Sequence, residues 1–228
     1  MGAWSIERHG GAARSFHARV PDDVTDRAVW IFDVDSPALA LGSTQPADDV
    51  DVDVADRLGI DVFARHSGGG AVLMLPGSSV WIDVVIPADD RLWTPDVSAA
   101  ALWLGDLWAS VLADVGVADA VVHRGPMVRP AVSSVMCFGG LAPGEVSRGG
   151  KTVGISQRRT RRWARFQSIA LLDWDAEVHR ALLAPGLERV TTADAAATGF
   201  DDVSISPLRQ VTVDTLVEAF VAGIGQIR

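Results

Sequence analysis

The sequence predicts a single α+β domain built on hairpins and a mixed sheet. Short apolar runs of strand length alternate with Gly, Pro and Ser turn signals along most of the chain, and a few longer stretches carry helical spacing between them. Across 228 residues there is no internal repeat, no low-complexity tract and no shift in composition that would divide the chain. That length is ample for one substantial core.

Each element follows from local pattern. Residues 1–27 are mixed and rich in Arg and Asp, and are expected to form a surface lead-in. Val29–Val34 and Ala38–Leu41 read as strands, the second ending at Gly42. Asp48–Leu58 is acidic, with Val50, Val54 and Leu58 at helical spacing. Ile60–Ala64 returns as a strand and empties into Ser67-Gly68-Gly69-Gly70. Ala71–Leu75 and Val80–Ile86, split by Pro76-Gly77-Ser78, predict a hairpin. Asp96 is placed to cap an amphipathic helix reaching Val115, with Leu102, Trp103, Leu107, Trp108 and Val111 inward. Asp119–His123 reads as a strand before a Gly/Pro/Ser-punctuated loop that holds Cys137. Glu145–Ser147 and Thr152–Ser156 flank Arg148-Gly149-Gly150 as a second hairpin, and Phe166–Leu172 is a further strand. Residues 175–184 and 212–224 have helical spacing, with an Ala/Thr/Gly connection between them.

Composition narrows the function. Hydrophobic residues make up 48% and charged ones 21%, the balance of a folded chain and not a disordered one. No apolar run approaches the roughly 20 residues of a membrane helix. Met1 to Gly11 has no apolar core of a secretion signal, so a cytoplasmic location is expected. The single cysteine excludes an internal disulfide and a multi-cysteine metal cage. A net charge of −9 argues against general nucleic-acid binding.

Arginine provides all of the positive charge except for one lysine, Lys151, and there is no tyrosine. Such a bias retains lysine mainly where a compact ammonium is needed and a planar guanidinium will not serve. The Ser67–Gly70 loop removes successive Cβ atoms, so its backbone can approach a ligand closely and its N–H groups can cradle an oxyanion; a plain flexible turn is the alternative. It is neither a P-loop nor a dinucleotide-binding turn, because no Gly-Lys-Ser/Thr and no helix follow it. A lone cysteine is usually a small buried hydrophobe, but the glycines and Pro143 around Cys137 describe a loop from which a thiol can reach a pocket. Period-2 alternation puts Lys151, Val153, Ile155 and Gln157 on one strand face, so the ammonium and the amide are expected to line one wall. Arg158, Arg159, Arg161, Arg162 and Arg165 form a basic cluster, either a solvated edge strand or a dock for an acidic partner. His66 and His123 are isolated from any carboxylate cluster, so no metal is expected.

Taken in order, these motifs resemble the catalytic domain shared by lipoate–protein ligases, octanoyl transferases and, more distantly, biotin–protein ligases. The matching pieces are Pro37-Ala38-Leu39-Ala40-Leu41-Gly42-Ser43-Thr44-Gln45, Arg65-His66-Ser67-Gly68-Gly69-Gly70-Ala71-Val72 and Lys151-Thr152-Val153-Gly154-Ile155-Ser156-Gln157. They span about Val29 to Leu172. The resemblance implies a mixed, mostly antiparallel sheet flanked by helices, with the whole of 1–228 as one catalytic domain. It implies that Arg65 to Ala71 lie against the acyl chain or an adenylate, that Lys151 contacts the acyl carbonyl, and that Gly154, Ser156 and Gln157 border the substrate. The ATP-using ligases carry an Asn-Asp element before the lysine, which this chain lacks. Instead, Ser133-Ser134-Val135-Met136-Cys137-Phe138 with Glu145 beyond it looks like the cysteine-dependent octanoyl transferases. The comparison with the longer ligases leads us to expect no counterpart of their accessory domain here; some ligases supply it as a separate subunit. Two departures stand out: Gly154-Ile155-Ser156-Gln157 replaces the usual Gly-Ser-Ala-Gln, and Phe166-Gln167-Ser168 lacks a histidine common before this strand's Gly-Ser or Gly-Thr.

The function this resemblance implies is attachment of a lipoyl or octanoyl group to a lysine of lipoyl-domain proteins. The route is a Cys137 thioester drawn from acyl carrier protein or, close behind it, ATP-dependent ligation through lipoyl-AMP with ATP and Mg²⁺. No permanently bound cofactor is expected, and no nucleic-acid or membrane partner. Acyl carrier and lipoyl domains are generally acidic, which would make Arg158, Arg159, Arg161, Arg162 and Arg165 their docking face. Biotin transfer is a lesser variant, since the glycine loop lacks the longer basic motif of those ligases. A non-catalytic acyl-binding or carrier-docking module that kept the fold is the alternative; the missing histidine favours it, and Cys137 and Lys151 oppose it.

Overall fold

A computed structural model describes residues 4–21, 24–185, 187 and 205–227, and two sheets organise them. The larger has seven strands in the order β1 (Ser5–Gly11), β2 (Ala28–Val34), β6 (Ser79–Pro87), β10 (Trp163–Leu171), β9 (Lys151–Arg159), β8 (Val146–Ser147), β7 (Val121–Val122). Only β1 and β2 pair in parallel; the remaining pairs are antiparallel. The smaller sheet sets β3 (Ala38–Leu41) between β4 (Asp61–Ala64), parallel to it, and β5 (Val72–Met74), antiparallel. A strand buried on both faces must be apolar at nearly every position, and β6, Ser-Val-Trp-Ile-Asp-Val-Val-Ile-Pro, is such a strand.

The two faces of the large sheet meet different partners. Val29, Ile31, Ile82, Val84 and Phe166 lie under α3 (Leu102–Asp114) and α5 (Val213–Ile224). The helices close on each other through Trp108 and Phe220, whose ring centroids are 4.7 Å apart. Thr212 caps α5 by accepting from the Thr215 amide, the signal expected at a helix start. On the opposite face Trp30, Phe32, Trp81 and Val85 pack against α1 (Ala13–Ala18) and against Ala38, Ala40, Phe63, Val72 and Met74 of the small sheet. The outer side of the small sheet is covered by α2 (Val52–Arg57) and by Leu182 beyond α4 (Ala176–Ala181). The gap between the two sheets is where the site forms.

Several sequence expectations need correction. Residues 1–27 are not a lead-in: β1 extends the large sheet, and Phe16 of α1 is buried, stacked on Phe32 at 4.5 Å. The Pro76-Gly77-Ser78 turn does not make a hairpin, because β5 pairs with β3 and β6 pairs with β2 and β10. The turn instead hands the chain from one sheet to the other, with Gly77 at φ +73°. Asp96 caps the turn at Ser98 and Ala99, and the regular helix starts later, at Leu102. The Arg148-Gly149-Gly150 hairpin is present, joining β8 and β9. Most of the Ala/Thr/Gly connection, 188–204, lies outside the described residues.

Arg165 must also be withdrawn from the docking cluster. It is 1% exposed and points between the sheets, where its Nε donates to Asp83 Oδ2 at 2.5 Å and its Nη2 to the Phe16 carbonyl at 2.7 Å. Alternation explains it: Arg165 sits opposite Val85 on the inward face of β10, and a buried guanidinium needs a paired carboxylate. Arg158 and Arg159 are half-buried, lying over the Trp163 and Trp93 rings respectively, while Arg161 and Arg162 at the β9–β10 turn are exposed.

Candidate active site

The glycine loop is shaped by the residue before it. Arg65 is 5% exposed and folds back under the loop, donating to Ser67 Oγ and the Gly68 carbonyl at 2.7 Å each and to the Gly70 carbonyl at 3.0 Å. Gly69 sits at φ +93°, a conformation that L side chains rarely adopt. A Cβ on Gly70 would stand 2.3 Å from the Met136 amide nitrogen, so only glycine lets the two loops touch. They are then stitched together, Ala71 N–H to Val135 O at 3.0 Å and Cys137 N–H to Ala71 O at 2.9 Å. This brings the Cys137 sulfur to 3.5 Å from where a Gly69 side chain would stand, with Arg65 Nη2 3.1 Å from the same point.

Lys151 reaches the same place by a backbone irregularity. Val146 pairs with Val153 but its neighbour Ser147 pairs with Lys151, so β9 accommodates one extra residue as a bulge. The period-2 expectation for Lys151, Val153, Ile155 and Gln157 therefore fails at its first member. Val153 lies in the core beneath α3, whereas the lysine side chain crosses Gly154, its Cε 3.3 Å from where a Cβ would be. Its ammonium stands 2.7 Å from Glu145 Oε1, donates to the Cys137 carbonyl at 3.2 Å and lies 5.0 Å from the centre of the Phe138 ring. Glu145 also accepts from the amides of Ile155 at 3.1 Å and Ala142 at 2.7 Å. Both side chains are at most 5% exposed, and such a charge is tolerable only when paired and hydrogen-bonded in this way.

These groups border one cavity of about 950 Å³, near the top of the roughly 300–1,000 Å³ usual for small-molecule sites. Of the residues singled out from sequence, Arg65, Ser67, Gly68, Gly69, Cys137, Lys151, Gly154, Ser156 and Gln157 line it. His66 is exposed and outside it, and Gly70 and Ala71 lie beneath the loop, where they hold the Cys137 segment. Gln157 ties β9 to the loop before α3 through Val97 O at 2.7 Å. Arg65 has no carboxylate partner among the described residues, and its buried Nε–H is without a partner there. The site presents a thiol, two cations and bare backbone around a partly apolar slot, an arrangement suited to stabilising an anion at an acyl carbonyl.

Sequence reading missed three of the lining residues. Glu145 entered only as part of a spacing, although it is the one acid between Leu141 and Gln157 and so the natural partner for a buried lysine. His17 was lost with the lead-in that turned out to be structured. Gln167 was noted only as the place where a histidine is lacking. Both His17 and Gln167 line the cavity.

Burial, with the Arg65 and Arg165 charges adding to it, holds the His17 imidazole down at about 3 from an ordinary 6.5. Burial likewise holds His179 at about 4, and it pushes the Asp83 carboxyl up to about 6 from 3.8 against the pull of Arg165. The unfolded chain protonates both histidines below about 6.5 while the fold does not, so stability falls on acidification. Asp83 acts oppositely, since the fold holds its proton up to about 6 and the unfolded chain releases it at 3.8. The net expectation is that stability falls as the pH drops below about 6.5, at no more than about 1.4 kcal/mol per proton per pH unit, and less steeply below about 6, where Asp83 offsets one of the two histidines. Urea unfolding across pH 4.5–7 measures it; a midpoint that does not fall with acidity contradicts the assignment.

The lipoyl protein ligase A/B catalytic domain model matches residues 14–225. The chain belongs to that family. No sequence among the curated proteins matches it. Similar solved structures include a putative lipoate–protein ligase from T. acidophilum with bound lipoic acid, at TM-score 0.73 and 17% identity over 99% of this chain and 84% of that one. A bi-partite lipoate–protein ligase from Thermoplasma acidophilum, described with its E2 lipoyl domain, aligns at TM-score 0.73 and 15% identity, covering 98% and 83%. A lipoate–protein ligase A bound with ATP aligns at TM-score 0.71 and 17% identity, covering 99% and 84%. The family membership makes this a lipoate–protein ligase-type catalytic domain, and the fold likeness agrees with the mixed sheet flanked by helices expected of the family. Among the described residues no helix is long and apolar enough to cross a membrane, and no group of His, Cys, Asp and Glu could hold a metal ion.

Proposed function

We propose that this family member transfers an octanoyl or lipoyl group to a lysine of a lipoyl domain through a thioester on Cys137. The observation that carries the reading is the meeting of the Cys137 thiol, the Lys151 ammonium and the bare backbone of Gly68 and Gly69 at one cavity. In the first half-reaction the Cys137 sulfur attacks the carbonyl of an acyl-carrier thioester. A C–S bond to the enzyme forms, the C–S bond to the carrier breaks, and the carrier thiol leaves with the proton. In the second, the unprotonated amine of the acceptor lysine attacks, a C–N bond forms, and Cys137 recovers its thiol. Lys151 spends one N–H on Glu145 and one on the Cys137 carbonyl, leaving a third for the oxyanion that develops in both steps. An eight-carbon chain buried in the slot contributes about 5 kcal/mol at roughly 0.8 per methylene, enough to select chain length. Arg158, Arg159, Arg161 and Arg162 remain as the dock for acidic partners; a lipoyl-domain acceptor is supported by the archaeal system, and an acyl carrier donor rests on the Cys137 neighbourhood.

A second reading keeps the cavity and changes the donor: lipoate is activated by ATP to lipoyl-AMP, pyrophosphate leaves, and the acceptor amine displaces AMP. Arg65 favours it, because a buried cation with no carboxylate partner among the described residues fits an anionic carboxylate or phosphate, and so does a cavity larger than an acyl chain alone requires. Mg²⁺ would then arrive on the nucleotide's phosphates. The test is the intact mass of enzyme and lipoyl domain after incubation with octanoyl–acyl carrier protein alone, or with lipoate, ATP and Mg²⁺. Octanoylation in the first mixture, with an adduct on the enzyme, supports the thioester route; lipoylation only in the second overturns it. Modification in neither leaves an acyl-binding module.

A further inference from the structure

One edge of the large sheet stays open beside the cavity. β8 pairs with β9 only at Lys151 and Val153, so beyond them β9 has β10 on one side and no strand on the other among the described residues. Along an antiparallel ladder, residues alternate between bonding a given neighbour and turning their backbone groups away from it. The turn at the end of β9 fixes the phase. Thr160 N–H donates to Trp163 O at 2.9 Å, so Arg158, Ser156 and Gly154 are the residues bonded to β10. Ile155, Gln157 and Arg159 point their backbone groups outward, and the Ile155 amide confirms it by meeting Glu145 Oε1 at 3.1 Å on that side. The Ile155 carbonyl, both backbone groups of Gln157 and the Arg159 amide have no hydrogen-bond partner among the described residues.

An open edge guarded by arginines is an ordinary defence against aggregation. This edge differs by its position. Ile155 and Gln157 line the cavity, and so do Val97, Met127 and Val128, which are 58%, 48% and 50% exposed. Apolar side chains this exposed around a cavity mouth mark a surface that a partner covers. Arg158, Arg159 and Arg161 continue along the edge and into the turn, where they complement an acidic partner.

We propose that the outer edge of β9, over residues 155–159, receives the lysine-bearing segment of the acceptor lipoyl domain as an added antiparallel strand. The inference rests on the cavity being the acyl-transfer site and deepens that reading. Such a strand would lie about 4.8 Å from β9, bonded to Gln157 through both backbone groups. Its residue opposite Ser156 then turns to the face that Ser156 shares with Gly154, the face that the Lys151 side chain crosses. A lysine at that position directs its flexible four-carbon stem into the cavity.

Residue-resolved hydrogen exchange on the full chain, alone and with excess unmodified lipoyl domain, tests the proposal. The Gln157 and Arg159 amides are expected to exchange at least tenfold more slowly in the complex, while those of Ser156 and Arg158, already bonded to β10, change little. Contact through side chains alone would not alternate along the strand. Gln157→Pro deletes one outward N–H and spares the bonds to β10; Gln157→Ala, its control, keeps that N–H and loses only the side-chain bond to Val97. The proline variant is expected to show a KM for the lipoyl domain about tenfold above that of the alanine variant. Exchange that fails to alternate in a complex that forms, or equal KM values in two folded variants, overturns the inference and leaves acyl transfer standing. A lipoyl domain that is neither bound nor modified overturns both.

Discussion

Cys137→Ser should lower octanoyl transfer from acyl carrier protein by about 10³-fold or more and eliminate the covalent adduct on the enzyme. Serine keeps nearly the same volume, and the loop is held by backbone hydrogen bonds to Ala71 that the side chain does not enter, so the fold should be intact. What changes is the nucleophile: a hydroxyl is far weaker than a thiol, and the cavity holds no neutral base against Cys137 among the described contacts to activate it. Unfolding by urea should therefore be within about 0.5 kcal/mol of wild type while transfer collapses. The same variant separates the two routes. If Cys137→Ser still lipoylates a lipoyl domain from lipoate and ATP at the wild-type rate, the sulfur is only packing beside the glycine loop and the adenylate reading replaces the thioester one.

How much of this was written in the sequence depends on whether the deciding physics is local. The strands Val29–Val34, Ala38–Leu41 and Phe166–Leu172 were legible because burial on a sheet imprints itself as apolar alternation or continuous runs. The β8–β9 hairpin was legible because Arg148-Gly149-Gly150 carries its own turn chemistry, with Gly149 at φ +67°. The Pro76-Gly77-Ser78 turn carries an equally strong signal, yet turn residues specify a reversal and not which strands pair across it; that is settled by the distant β2, β3 and β10. Residues 5–18 were misread because β1 is an edge strand, half exposed, whose apolar pattern is diluted by Glu7, Arg8 and His9. The site divides in the same way. The glycine loop, Cys137 and Lys151 were legible as residue types that chemistry needs. The bulge that turns Lys151 onto the cavity face was not, because one extra residue in a strand leaves composition and spacing untouched. Arg165 looked like its exposed neighbours for want of a view of Asp83, which lies 82 residues away and has no reason to be apparent as its partner.

Lys151→Met is expected to cut transfer by about 10²–10³-fold and also to destabilise the fold by about 3–5 kcal/mol, a combination that needs untangling. Removing the ammonium leaves Glu145 as a buried carboxylate with only the Ala142 and Ile155 amides to hold it, and breaking one side of a buried ion pair costs more than the pair contributes. Glu145→Gln is the reciprocal lesion: it keeps the shape, retains an acceptor for one amide, and strands the lysine. The two losses should not add. In Lys151→Met/Glu145→Gln neither member of this pair is left as an unpaired buried charge, so most of the lost stability should return, with a coupling of several kcal/mol in the double-mutant cycle. Transfer should not return if Lys151 acts as proposed on the acyl oxygen, because its ammonium is absent from both the single and the double variant. Urea midpoints and transfer rates on the four proteins read the two quantities separately. Activity that recovers together with stability would mean that Lys151 acts only by holding Glu145 and the Cys137 loop in place, and that the oxyanion is stabilised by the glycine backbone and Arg65 alone.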